Sequence, residues 1–265
     1  MRGSGESGGA AVEAAIILPA MLMLLLCAIQ IAQLQQARVM AEYAAFNAAR
    51  AGIVQNGNNG ADGTSGPMHD AAVLSILPTW GRTDGFTALG RTWADFRVRD
   101  AVLRAFGLPQ VKVYVLSPHK QDFPRFGQHL DRQELDFDDV RPQAAEAALL
   151  SIQVRYLYEL RVPFANKLIQ TIWLASHVGP GRARALEGWT GWDLSSPRAT
   201  VPNGRDAVEL SRALALAGHV DDGTPDGINL GALTLAGNQG RYFLPIQAWY
   251  TMRMQSNPFA KWSAP

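Results

Sequence analysis

The hydrophobic positions of this chain change their period along its length. Residues 10–29 read AAVEAAIILPAMLMLLLCAI, twenty residues with a single charge at Glu13. A helix rises 1.5 Å per residue, so the run covers about 30 Å, the thickness of a bilayer's hydrocarbon core. It predicts a transmembrane helix. Between Gln30 and Val54 there is no proline and one glycine, Gly52, with abundant Ala, Gln, Met and Arg. The same helix is therefore expected to continue beyond the bilayer as a stalk. Ala37, Ala41, Ala45, Ala48 and Gly52 draw a stripe of small residues along it at three- and four-residue spacing. Such a stripe lets a second element approach closely, either another helix or the chain's own globular part.

Residues 55–67, QNGNNGADGTSGP, break the helical pattern and have the composition of a flexible linker. Helices are expected at 68–77 and 86–106, the second carrying Leu89, Trp93, Phe96, Val102, Leu103 and Phe106 near helical spacing. Residues 111–117 alternate as a short strand. In 150–162 the alternation is clearest, with Leu150, Ile152, Val154, Tyr156, Tyr158, Leu160 and Val162 on one face. Ser151, Gln153, Arg155, Glu159 and Arg161 fall on the other. Pro163 suits a helix start, and Phe164, Leu168, Ile172 and Ala175 would form that helix's apolar stripe. A last strand is expected at 242–255, with Pro245 marking an edge position or a bulge. The fold class is α+β: a long N-terminal transmembrane and stalk helix, then a small antiparallel sheet packed with helices on one face.

The chain has 265 residues with 24 basic and 23 acidic side chains, and no block of like charge. Neither a nucleic-acid surface nor an acidic tail is indicated. The only cysteine, Cys27, lies in the apolar run, so the globular part must fold without an internal disulfide or a cysteine-based zinc site. Leu26 before it is too large for a lipoprotein signal, and Ala28-Ile29-Gln30 makes a poor cleavage site after the run.

Candidate chemistry is sparse. His69, His119, His129, His177 and His219 show no metal-binding spacing and read as surface residues; no nucleophile elbow or phosphate loop is present. Asp193-Leu194-Ser195-Ser196-Pro197 approaches the metal site of von Willebrand A domains, but Pro197 replaces its second serine. The acidic stretches 136–139 and 221–227 could supply oxygen ligands to calcium, yet read better as turns. No catalytic residue, metal or cofactor is expected.

Glu13 is the anomaly, because a carboxylate in an apolar span is costly unless it is paired or reaches the interface. The string Gly8-Gly9-Ala10-Ala11-Val12-Glu13 before the apolar run resembles a type IV prepilin signal. Together with the ending Asn47-Ala48-Ala49-Arg50-Ala51-Gly52, it resembles the TadE-like family of tight-adherence pilus proteins over about the first 55 residues. The segment 154–169, VRYLYELRVPFANKLI, resembles that family's second segment. Family members often carry an aromatic residue after the glutamate, and this chain has Ala14. The resemblance implies cleavage by a prepilin peptidase after Gly8, leaving Gly9 as the new N-terminus. It also implies that Glu13 pairs with the free amine of a neighbouring subunit and sets the axial register.

On that basis the expected organisation is a leader at 1–8, a transmembrane and stalk helix at 9–54, a linker at 55–67 and an extracytoplasmic domain at 68–265. The charges around the span, Arg2 and Glu6 before it and Arg38 and Arg50 after it, do not orient it. The resemblance implies a bacterial inner-membrane protein with a cytoplasmic N-terminus, partnered with membrane lipid, other pilins, the assembly platform and the peptidase. The alternative is a signal-anchored periplasmic binding or enzymatic domain, whose site would lie at 180–240 near Trp189, Trp192 and Asp193.

Overall fold

The computed structural model describes residues 6–60, 62–127, 133–139, 141–178, 228 and 230–264. Helix α1, Glu6–Val54, is 49 residues long and contains Pro19. Pro19 cannot donate a hydrogen bond back to the preceding turn, a loss that helices in an apolar span tolerate. At the far end Asn56 (φ 57°) and Gly57 (φ 73°) turn left-handed. The Gly57 N–H donates to the Gly52 carbonyl at 2.9 Å, the closing bond of a Schellman motif. The motif's second bond is bridged by a hydroxyl. Asn56 N–H donates to Ser256 Oγ at 2.9 Å, and Ser256 Oγ donates to the Ile53 carbonyl at 2.9 Å. The segment after the last strand therefore caps the stalk.

The sheet has three antiparallel strands in the order β1 (Val111–Ser117), β2 (Leu149–Leu160), β3 (Tyr242–Arg253). Leu150, Ile152, Val154, Tyr156, Tyr158 and Leu160 of β2 lie in the main core with the alanines of α1, as alternation of Cβ atoms across a strand requires. Helix α1 packs along β2 and β3 and against α2, Pro67–Ile76. The β2–β3 register is continuous through Leu157↔Pro245. Leu157 turns its N–H to the Gln110 carbonyl on the β1 side, so Pro245 meets it at a position where no N–H is wanted. Of edge position and bulge, the structure takes the edge.

The opposite face of the sheet is covered as well, which corrects the expectation of helices on one face. Leu157 and Phe243 form a second core with Leu103 of α3 (Phe86–Ala105), Leu174 of α6 (Ala165–Val178), and Ala232 and Leu233 of α7 (Leu230–Asn238). Gln153 and Arg155, on the polar face by pattern, are buried too. Two short helices, α4 (Asp122–Phe126) and α5 (Pro142–Ala147), complete the domain around Phe123 and Leu135.

The stretch 55–67 has the composition of a flexible linker; its described residues before α2, 55–60 and 62–66, form turns hydrogen-bonded to the domain. Asn56 Nδ2 donates to the Asn257 carbonyl at 2.7 Å, Asn59 Nδ2 donates to the Val113 carbonyl at 2.8 Å, and the Val113 N–H donates to the Gly63 carbonyl at 2.8 Å. A Cβ on Gly63 (φ 73°) would stand 2.0 Å from the Val113 oxygen, so this glycine lets the turn lie against the edge of β1.

Helix α6 starts two residues later than Pro163 suggests, because Phe164 takes φ 65°. Its buried side carries Ala165, Gln170 and Leu174, while Phe164 and Ile172 of the expected stripe are exposed. The side chain of Ala175 lies outside the described residues. On α3, Phe96 and Leu103 point inward as expected, but Val102 and Phe106 point outward.

Candidate membrane-anchoring and assembly site

Helix α1 divides at Gln30. From Val12 to Ile29 almost every side chain is open, with Ile16 and Leu24 at 70% and 71% exposure, and the stretch is long and apolar enough to cross a membrane. Its 18 residues rise about 27 Å. Glu13 stands one turn into that surface and is exposed. Gly9 lies on the same helix with open space where a Cβ would be, and Gly8 is helical. The structure thus places Gly8, Gly9 and Glu13 on one continuous helix away from the domain.

Gln30 is fully buried, and its Oε1 accepts the Val162 N–H at 2.8 Å. A buried amide is costly unless it is hydrogen-bonded, and here it ties the helix to the end of β2 at the point where the domain begins. Beside it, burial raises the pKa of Tyr158 above the ordinary value, with the Arg161 charge and Gln30 opposing that shift. Tyr156, one pleat further in, is raised strongly by burial despite its contact with Thr79 Oγ1 at 2.8 Å.

The small-residue stripe is used within the chain. Ala37, Ala41, Ala45 and Ala48 are fully buried. At Gly52 a Cβ would lie 2.7 Å from Leu150 Cδ2 and 2.9 Å from Met68 Sδ. Of the two elements the spacing allowed, the stripe meets its own domain, and α2 is the closely approaching helix. Other faces of the stalk remain open, including Val39 and Tyr43.

A buried polar group lies between α2 and α3. Arg104 Nε is 2.6 Å from Asp100 Oδ2, and its Nη2 donates to the Thr64 carbonyl at 2.6 Å. The other carboxylate oxygen of Asp100 accepts the Gln110 N–H at 2.8 Å, just before β1. His69 is buried against this group, with Nε2 3.4 Å from Arg104 Nη2. Burial, then the Arg104 charge, hold the His69 pKa below its ordinary value. This corrects the reading of His69 as a surface residue. Burial tends to raise the Asp62 carboxyl, but hydrogen bonds from Thr64 and the charges of Arg104 and Lys112 outweigh it and hold that carboxyl low. The arrangement joins α2, α3 and β1.

At 136–139 the carboxylates serve their own turn. Asp136 Oδ1 accepts the Asp138 N–H at 3.0 Å, and Asp139 Oδ2 accepts from Arg141 Nε at 2.9 Å. His119 is partly exposed and its backbone N–H donates to Asp122. Among the described residues no group of His, Cys, Asp or Glu is placed to hold a metal ion. His129, His219, the stretch 221–227, and Trp189, Trp192 and Asp193 to Pro197 lie outside the described residues, as does the side chain of His177.

The feature that sequence reasoning missed is Gln30, which reads as the first polar residue after an apolar run. A glutamine followed by apolar residues at Ile31 and Leu34 was the available signal. No curated protein and no solved structure matches the chain. The family model of TadE-like proteins matches residues 8–50, which lie on α1, so the chain is similar to that family along the helix that is long and apolar enough to cross a membrane.

Proposed function

We propose that the chain is a minor pilin or pseudopilin of a tight-adherence pilus or a related secretion apparatus. Prepilin peptidase cuts after Gly8, and α1 then holds the subunit in the bacterial inner membrane with its N-terminus cytoplasmic and its domain outside. In the assembled state Glu13 pairs with the Gly9 amine of a neighbour, so that two charges costly in an apolar surrounding neutralise one another. Other pilins and the inner-membrane platform are the partners, and the role is structural. The observation that carries this reading is the division of α1: its first half is apolar and open, whereas from Gln30 onward one face of the helix is built into the domain.

N-terminal mapping and intact mass of the protein from native membranes test it, with Gly8→Ala and Glu13→Ala alongside. A chain beginning at Gly9, with processing lost in Gly8→Ala and kept in Glu13→Ala, is the expected result. Recovery of crosslinked pilin partners should fall in Glu13→Ala. A chain still beginning at Met1 would remove the peptidase step and favour a signal-anchored periplasmic domain.

A further inference from the structure

We propose that the outer face of α6 lies in the interfacial layer of the same membrane that holds α1, so that the domain is seated on lipid rather than carried away from it on a stalk. The inference rests on α1 being the membrane span, and goes beyond it by assigning a lipid-contacting surface to the domain itself.

Three observations meet at one end of the fold. Phe164, immediately before α6, and Leu168 and Ile172 on it follow one another at four-residue spacing, and Phe164 and Ile172 are 73% and 60% exposed. The helix is already docked by its other side, through Ile169 in the main core and Leu174 in the second. An amphipathic helix normally turns its apolar stripe inward; here both sides are apolar, and on one of them Phe164 and Ile172 are open. Phe164 is directed outward by a left-handed backbone (φ 65°) that a phenylalanine adopts only at a cost.

The level of this face is set by Gln30. Its amide holds the N–H of Val162, two residues before Phe164. The open apolar surface of α1 reaches the same level, since Ile29 and Ile31 are 41% and 50% exposed. If Val12 to Ile29 fill the hydrocarbon core, Gln30 stands at its edge, and the α6 stripe continues the lipid-facing surface of α1 sideways. The flanking groups suit an interface: Lys167 lies on α6, and the Arg161 guanidinium sits 5.7 Å from the ring centre of Trp80. Cations and amphipathic aromatic rings are the residues found at headgroup level.

The test uses the full chain with Cys27→Ala, placed one copy per nanodisc, and an environment-sensitive fluorophore on Phe164→Cys or Ile172→Cys. Leu18→Cys serves as the reference inside the span. Val54→Cys, on the stalk about 36 Å from Gln30 at 1.5 Å per residue, serves as the reference in water. With nitroxide on the lipid chains next to the headgroup, the labels at 164 and 172 should lose fluorescence as the label at 18 does, while the label at 54 stays bright. Labels at 164 and 172 as bright as that at 54, with 18 quenched, would overturn the proposal and leave the anchor intact. Labels at 164 and 172 that escape lipid quenching but become shielded from aqueous iodide only at two copies per disc would assign the face to a second subunit and overturn it equally. An unquenched label at 18 would sink both the anchor and the proposal.

Discussion

Gln30 Oε1 accepts the Val162 N–H at 2.8 Å, joining the last turn of an apolar span to the end of the central strand. The bond decides where the anchor stops and the domain starts, because both partners are buried and neither can turn to water.

Gln30→Leu keeps the volume and removes the acceptor, leaving the Val162 N–H buried and unpaired. The expected cost is about 1–3 kcal/mol. Thermal unfolding of the micelle-solubilised protein should show it, together with faster amide exchange at Val162. Anchoring should be retained, since leucine is better tolerated in an apolar span than glutamine. An unchanged unfolding midpoint would mean that the bond contributes nothing net.

Gly52 and Leu150 define the opposite end of the same packed face. Ala at position 52 gains about 1 kcal/mol of helix propensity, yet its Cβ would press on Leu150 Cδ2 at 2.7 Å and Met68 Sδ at 2.9 Å. Overpacking costs about 1–3 kcal/mol, and the flexible Met68 can relieve part of it, so Gly52→Ala should be destabilised by about 1 kcal/mol net. Gly52→Leu should lose more. A double-mutant cycle with Leu150→Ala should recover the loss at position 52; strict additivity would show that the two residues do not compete for space.

The long helix, the central strand and the α+β class were legible because each depends on a simple period. A twenty-residue run with a single charge admits few other readings, and the six apolar residues at alternate positions from Leu150 to Leu160 set the register. Other features were not legible, for physical reasons. Gln153 and Arg155 look solvated by type, and only the structure shows the second face of the sheet covered. Gly and Asn serve flexible linkers and tight turns alike; what binds residues 55–67 is Val113 and Asn257, 54 and 201 positions away from the asparagines they meet. On α6 the apolar stripe was visible, but a period does not tell which side meets the core, and Phe164 and Ile172 face out. The small-residue stripe of α1 was equally readable, while its partner could be named only once β2 and α2 were seen against it.

His69 makes stability depend on pH. Its folded-state pKa lies below the ordinary 6.5 because the ring is buried beside Arg104. The unfolded chain therefore binds the proton more readily, so this contribution is fully present above about pH 6.5 and is lost as the pH falls towards the lower folded value. The unfolding midpoint of the wild type should drop between pH 7.5 and 5.5, and His69→Gln should drop less. Carboxylates act mainly below that window, so the difference between the two proteins isolates the imidazole. Parallel curves would show that His69 keeps an ordinary pKa in the folded chain.

Asp100 has the strongest claim to hold the two sides of the domain together, since one oxygen faces Arg104 at 2.6 Å and the other takes the Gln110 N–H at 2.8 Å. Removing one partner of a buried pair costs about 3–5 kcal/mol when the remaining charge has no water. Here the Arg104 side chain is 32% exposed, and that exposure moderates the loss through solvent screening. Asp100→Ala should therefore cost about 2–3 kcal/mol, part from the charge and part from the orphaned Gln110 N–H. Asp100→Asn keeps an acceptor for Gln110 and should lose less. Chemical denaturation of both variants, with Arg104→Met as the second arm of a cycle, separates the two terms. If Asp100→Ala and Asp100→Asn fall equally, the charge on Asp100 carries the effect and the backbone bond to β1 is incidental.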